Sequence, residues 1–65
     1  MHIMEITKTD GNHYHLEVKG RIEEDVNDIQ LLGMVDSKAF DMTLPEIIYR
    51  LDQLPIGYKM AVPYN

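Results

Sequence analysis

A turn signal near the N-terminus, Thr9-Asp10-Gly11, separates two segments in which large apolar and polar residues alternate. This pattern is typical of a β-hairpin, because successive side chains of a strand point to opposite faces. A three-residue loop with Gly11 in the left-handed bulge position predicts the pairs Ile6 with Tyr14, Met4 with Leu16, and His2 with Val18. All the large even-numbered residues then share one face. A two-residue loop at Asp10-Gly11 would set Ile6 opposite His15 and mix the faces, so the pattern favours the three-residue loop.

The chain has 65 residues and no cysteine. A chain of this length forms a single domain, residues 1–65, and its small core must be held without disulfides. Because such a core is marginal, we expect dimerisation to stabilise it. Hydrophobic residues make up 45% of the chain, which is typical of a folded chain rather than a disordered one.

Apolar residues recur at helical spacing after Gly20, at Ile22, Val26, Ile29 and Leu32. The spacing predicts an amphipathic helix over residues 22–32 that Gly33 would stop. The carboxylates of Glu23, Glu24 and Asp25 would then lie in its first turn, where the helix dipole favours negative charge. Residues 34–41 fit either a loop or a short strand.

Thr43 is the clearest helix-capping residue in the second half of the chain. Glu46 follows three residues later as its capping-box partner, and Pro45 falls in the first turn, where a missing N–H is harmless. The helix that follows has one apolar stripe, formed by Leu44, Ile47, Ile48, Leu51 and Leu54. Pro55 and Gly57 are expected to end it.

Large apolar residues alternate again over residues 58–62, which predicts a strand ended by Pro63. This strand could join the hairpin as a third strand. The sequence therefore predicts an α+β domain with an N-terminal hairpin, two short amphipathic helices and a C-terminal strand. The strands would form a small antiparallel sheet with the helices on one face.

The net charge of -5 and the pI near 4.9 argue against direct nucleic-acid binding, which needs clustered lysines and arginines. The N-terminus lacks the features of a signal peptide, and an apolar run long enough to span a membrane is not present. Neither a nucleophile elbow nor a glycine-rich phosphate loop occurs, so we expect neither an enzyme nor a cofactor. These exclusions favour a module that binds another protein.

The candidate partner-binding residues fall into an acidic set and an apolar set. The acidic set is Glu23, Glu24, Asp25 and Asp28, which on a rigid helix would suit a basic protein groove. The apolar set, which could line a pocket, is Ile22, Val26, Ile29, Met34 and Phe40. The alternatives are a solvated helix face for the first set and an ordinary core for the second.

Two histidines, His13 and His15, fall on one face of the second predicted strand, within cross-strand reach of Glu5 or Glu17. This pattern could hold a divalent metal, which would make the chain a metal-binding regulatory domain. Histidines near a turn are more often ordinary polar residues, and we predict no metal site.

Several short segments follow one another along the chain in an order that is typical of one family of phage proteins. They are an Asp10-Gly11 turn, a second strand with Tyr14 that ends in Lys19-Gly20, and Glu46-Ile47-Ile48 followed by Arg50-Leu51-Asp52. In this order the chain resembles the small phage-encoded uracil-DNA glycosylase inhibitors, which mimic DNA. It differs in a longer segment between Gly20 and Glu46, and in offering Phe40 and Tyr49 rather than the family's aromatic residues on the first helix.

The resemblance implies a homodimer whose acidic edge imitates DNA phosphates and whose apolar pocket grips the residue that the enzyme inserts into DNA. The implied partner is a basic DNA-binding protein, possibly uracil-DNA glycosylase, in the cytoplasm of an infected or lysogenic bacterium. The alternative is a small homo-oligomeric structural or assembly protein without an inhibitory role.

Overall fold

The computed structural model describes residues 2–36 and 42–64. Their elements are β1 (His2–Lys8), β2 (His13–Val18), β3 (Ile22–Asn27), α1 (Asp28–Asp36), α2 (Leu44–Gln53) and β4 (Lys59–Tyr64). The strands form one antiparallel sheet in the order β3-β2-β1-β4. The predicted α+β class, with the helices on one face of a small antiparallel sheet, is confirmed.

The hairpin of β1 and β2 has the predicted faces but a different register. Ile6 lies opposite Leu16, and Lys8 lies opposite Tyr14, a shift of two residues from the predicted pairs. Thr9 N–H donates to the carbonyl of His13 at 3.0 Å, and Asn12 N–H donates to the Asp10 side chain at 3.0 Å. The loop is therefore closed by the Asp10 carboxylate rather than by a left-handed Gly11, which has no positive φ. A shift of two residues leaves every side chain on its own face, which is why the pattern did not reveal it.

The predicted helix over residues 22–32 is wrong in its first half, where the chain forms β3. A turn containing Gly20, with a φ of 73°, and a bond of 2.9 Å from Arg21 N–H to the Val18 carbonyl lead from β2 into β3. Ile22 and Val26 are four residues apart, a spacing that fits one face of a strand as well as one face of a helix. Pairing with β2 satisfies the backbone of this segment and places Val26 in the core.

Helix α1 begins at Asp28 and runs past Gly33, which does not stop it. A capping box starts it: Gln30 N–H donates to the Asn27 side chain at 2.8 Å, and Asn27 N–H donates to the Gln30 side chain at 2.9 Å. Residues 34–36, left open between loop and strand, belong to this helix. The rest of that segment, residues 37–41, lies outside the described residues.

Helix α2 agrees with prediction, and strand β4 agrees except at its C-terminal end. Glu46 N–H donates to the Thr43 hydroxyl at 3.4 Å, Pro45 lies in the first turn, and Ile47 and Leu51 are buried. β4 pairs with β1 as the third strand of the predicted sheet. Pro63 lies within β4 instead of ending it, which is possible because β4 is an outer strand and one of its edges needs no ladder hydrogen bond.

The core lies between the helices and the even-numbered face of the sheet. Its buried hydrophobic residues are Met4, Ile6, Tyr14, Leu16, Val18, Val26, Leu31, Val35, Ile47, Leu51, Val62 and Tyr64. Packing on one face leaves the odd-numbered side chains of the strands, most of which are polar, on the other face.

Candidate functional site

The candidate site is the sheet face turned away from the helices, here called the polar face. Its charged or titratable residues on the strands are Glu5, His13, His15, Glu17, Glu23, Asp25 and Lys59. They share one face because the odd-numbered positions of β1, β2 and β4 are in register with those of β3. The four carboxylates outnumber the one lysine, so the polar face is negative.

Three glutamates lie side by side across neighbouring strands of the polar face. Glu5 is the cross-strand partner of Glu17, and Glu17 is the cross-strand partner of Glu23. We call these three residues the glutamate row. Adjacent strands are about 4.8 Å apart, and like charges at directly opposed positions destabilise a sheet. The row is therefore a local electrostatic cost to the free protein.

His15 lies beside the glutamate row and contacts two carboxylates of β3. Its Nδ1 is 2.7 Å from Asp25 Oδ1, and its Nε2 is 3.7 Å from Glu23 Oε1. The hydrogen bond to Asp25 raises the pKa of His15 above its ordinary value, and the nearby charges of Asp25, Glu23 and Glu17 act in the same direction, against a smaller effect of burial. Protonation of His15 thus partly neutralises this corner of the polar face.

Lys59 reaches the other end of the row, where its Nζ lies 3.1 Å from Glu5 Oε2. Both side chains are substantially exposed, so solvent screens this pair. The central Glu17 and the outer Glu23 lie on the side of the row away from Lys59, toward the outer strand β3. The negative charge of the polar face is therefore strongest on β2 and β3.

The structure divides the predicted acidic set instead of presenting it on one helix face. Glu23 and Asp25 lie on the polar face, whereas Glu24 alternates to the opposite face of β3. Asp28 is the first residue of α1. The reason is the strand conformation of residues 22–27, which sends neighbouring side chains to opposite sides.

The described residues of the predicted apolar set differ in their exposure. Val26 is buried in the core, Ile22 and Met34 are half-buried against it, and Ile29 is 76% exposed. Phe40 lies outside the described residues. Residues 22–27 and 28–36 belong to different elements, so the helical spacing on which the pocket depended does not exist.

A cavity of about 180 Å³ does exist between the tip of the hairpin and the two helices. We call it the helix cavity, and its walls are Gly11, Tyr14, Asp28, Leu31, Leu32, Ile48, Leu51 and Asp52. Burial raises the pKa of the Tyr14 hydroxyl, and the charges of Asp28 and Asp52 raise it further. Among the predicted site residues that the structure describes, only Asp28 lies here. The contact between the hairpin tip and both helices had no signal in the sequence.

The two histidines contact different carboxylates. His13 Nδ1 lies 2.9 Å from Asp10 Oδ1 in the hairpin loop, while His15 contacts Asp25. The ligand atoms of His15, Glu17 and Glu23 lie within 4.8 Å of one another, a spacing that a divalent cation could use. Exposed acidic groups often lie this close without an ion, and we treat the three residues as part of the polar face.

The chain matches no protein-family model, no curated protein and no solved structure. The resemblance to uracil-DNA glycosylase inhibitors thus remains a prediction from the residues that carry it. Among the described residues, neither helix has the length and apolar character needed to cross a membrane.

Proposed function

We propose that this chain is an acidic binding module whose polar face docks on the basic surface of a DNA-binding protein and takes the place of DNA. The observation that carries the proposal is the glutamate row, with Asp25 beside it. Cross-strand like charges reduce stability in the free protein, and a cationic partner would relieve that repulsion. Binding sites often retain such local costs because function depends on them.

The charge of the polar face would act mainly on the rate of association. Exposed carboxylates attract a basic groove over about one Debye length, roughly 8–10 Å at physiological salt. They sit on a paired sheet rather than on a loop, so their spacing changes little on binding. A rigid array of negative charges on the strands is what competition with DNA phosphates would require.

The finer identity of the partner comes from the resemblance, which favours bacterial uracil-DNA glycosylase. In this proposal the protein acts by binding and not by catalysis, in the cytoplasm of an infected or lysogenic bacterium. In this proposal the acidic binding surface is the polar face of the sheet instead of the predicted helix face.

Inhibition of uracil excision tests the proposal with charge variants on the two faces of β3. We expect the protein to inhibit the enzyme, excess duplex DNA to compete, and inhibition to weaken between about 50 and 200 mM salt. Glu23→Gln/Asp25→Asn should slow association at low salt by about threefold to tenfold. Glu24→Gln removes a charge from the same strand but on the opposite face, and should leave association close to wild type.

Two results would count against the proposal. No inhibition at a large excess of protein would exclude uracil-DNA glycosylase as the partner. Equal association rates for Glu24→Gln and Glu23→Gln/Asp25→Asn would show that the polar face does not carry the interaction.

An assembly role is the second candidate, and an exposed apolar group at the end of α2 favours it. Tyr49, Ile56 and Tyr58 are all more than 60% exposed. Beside them Leu54, Pro55 and Met60 help to line a shallow cavity of about 270 Å³. Exposed apolar surface of this kind is common at contacts between protein subunits.

Sedimentation equilibrium tests this second candidate. If the apolar group joins two copies, Tyr49→Ser/Ile56→Ser should shift a dimer to monomer, whereas Glu23→Gln/Asp25→Asn should leave it dimeric. A wild-type protein that stays monomeric at high concentration would remove the assembly role.

A further inference from the structure

The helix cavity combines apolar walls with two carboxylates. Leu31 and Leu32 of α1 face Ile48 and Leu51 of α2 across it, and Tyr14 closes the side formed by the hairpin. At about 180 Å³ it is larger than an engineered apolar cavity of about 150 Å³ that accepts benzene. The cavity can therefore admit a side chain of a partner.

The two carboxylates of the helix cavity are left without a cation by the part of the chain that the structure describes. Asp28 Oδ1 accepts a hydrogen bond from Ile29 N–H at 2.8 Å, and Asp52 is an exposed residue in the last turn of α2. The ion pairs among residues 2–36 and 42–64 involve neither of them. Lys8, whose Nζ donates to the Leu51 carbonyl at 3.2 Å, directs its charge to the backbone.

The negative charges of Asp28 and Asp52 both act on the buried side chain of Tyr14. Their charges raise the pKa of Tyr14, in addition to the effect of burial, so each lies within electrostatic range of this wall of the cavity. Two unpaired negative charges beside apolar walls attract a group that has an aliphatic stem and a cationic end. Charge and shape together thus specify the ligand class.

The surroundings of the cavity indicate a protein ligand instead of a free small amine. Ile29 is 76% exposed, directly follows Asp28 and lies three residues before Leu32, and both of those residues line the cavity. Exposed apolar surface is therefore present on α1 next to two residues of the cavity wall. A macromolecule that inserts one side chain would cover this additional surface, and a free amine would not.

We propose that the helix cavity binds an arginine side chain of a partner protein, with its aliphatic stem on Leu31, Leu32 and Ile48. Its guanidinium group then lies between Asp28 and Asp52. Arginine suits this position better than lysine because the planar guanidinium carries five N–H donors, pairs with two acceptors at once and is more weakly hydrated. The cavity lies on the helix side of the sheet, away from the polar face, so this site and the proposed function can fail independently.

Blocked amino acids provide probes for this site on the intact protein. N-acetyl-arginine amide, titrated into ¹⁵N-labelled protein, should give saturable chemical-shift changes at Tyr14, Leu32 and Ile48. N-acetyl-citrulline amide has nearly the same shape without the charge, and should bind at least about tenfold more weakly. N-acetyl-lysine amide should bind with intermediate affinity.

Variants provide the second arm of the experiment. Asp28→Asn keeps a side-chain oxygen at the start of α1, and Asp52→Asn changes an exposed position, so both proteins should fold, as their amide spectra would show. The double variant should lose arginine binding by about tenfold or more, whereas Glu23→Gln/Asp25→Asn on the polar face should retain it. Equal chemical-shift changes with the citrulline probe and the arginine probe would overturn the proposal. So would unchanged arginine binding in the folded Asp28→Asn/Asp52→Asn variant.

Discussion

At the scale of single residues, Glu17 occupies the most repulsive position of the polar face, since it lies between Glu5 and Glu23. Glu17→Gln keeps the shape of the side chain and removes the central charge. We expect it to stabilise the fold by about 0.2–1 kcal/mol at low salt, because it removes two cross-strand repulsions. Urea unfolding of the wild type and the variant measures the difference.

Salt provides the control for this prediction. At about 1 M salt the Debye length falls to about 3 Å, and the gain from Glu17→Gln should largely disappear. A stability gain that does not depend on salt would mean that packing, and not charge, distinguishes the two side chains.

His15 should make stability depend on pH near neutrality. Its pKa is raised in the folded protein by the hydrogen bond to Asp25 and the nearby charges. The stabilisation is therefore complete below its unfolded pKa of about 6.5, and is lost as the pH rises through the higher folded pKa. The thermal midpoint of the wild type should exceed that of His15→Gln by more at about pH 6 than at about pH 8.

The comparison with His15→Gln separates this effect from His2, whose pKa is lowered mainly by the charge of Arg21 and which is present in both proteins. A difference between the two midpoints that stays constant over this range would show that His15 and Asp25 do not form the pair in solution.

At the scale of elements, the capping box of Asn27 and Gln30 determines where β3 ends and α1 begins. Asn27→Ala removes the side-chain acceptor for Gln30 N–H and should cost about 0.5–2 kcal/mol. For a domain of this size, 1 kcal/mol corresponds to a fall in melting temperature of about 4–8 °C. Thermal unfolding followed by circular dichroism checks this value.

Gln30→Ala is the matched variant, since it removes only the reciprocal bond to Asn27 N–H and should have the smaller effect. If both variants have the same melting temperature as the wild type, the capping box does not define the start of α1.

The sequence correctly predicted those elements in which the spacing of apolar residues fits a helix or a strand but not both. In α2 the Thr43 cap and the stripe through Ile47 and Leu51 fit a helix alone, and in the hairpin the alternation fits a strand alone. Ile22 and Val26, four residues apart, satisfy both periods, and the choice between them depends on pairing with β2, a long-range contact. The signal that would have corrected the boundary between β3 and α1 is the pair Asn27 and Gln30, which forms the capping box at the start of α1.

The candidate site could be predicted only in part, for the same reason. The sequence predicted Glu23 and Asp25 as candidate partner-binding residues because carboxylates crowd that stretch. It could not place Glu17 and Glu5 beside Glu23, since the glutamate row exists only when three strands are in register. The helix cavity depends likewise on the packing of α1 against α2.

At the scale of the whole molecule, negative charge is present on both sides of the sheet. The polar face carries the glutamate row, and the helix cavity carries Asp28 and Asp52. The two sites differ in what they can hold: the first is an exposed array, and the second is a recess with apolar walls. A basic partner could thus be attracted by one surface and anchored by the other, and the separate variants described above measure each contribution.

The position of β3 at the margin of the sheet has a consequence for self-association. An outer strand offers unpaired backbone groups that can template fibrils, and natural proteins protect such strands with charge. Glu23, Glu24 and Asp25 provide three consecutive negative charges along β3. Glu23→Gln/Asp25→Asn should therefore shorten the lag time of thioflavin-positive aggregation, whereas Glu46→Gln in α2 should leave it unchanged. The carboxylates proposed to attract a foreign protein would in this way also keep identical copies of the chain from growing into amyloid.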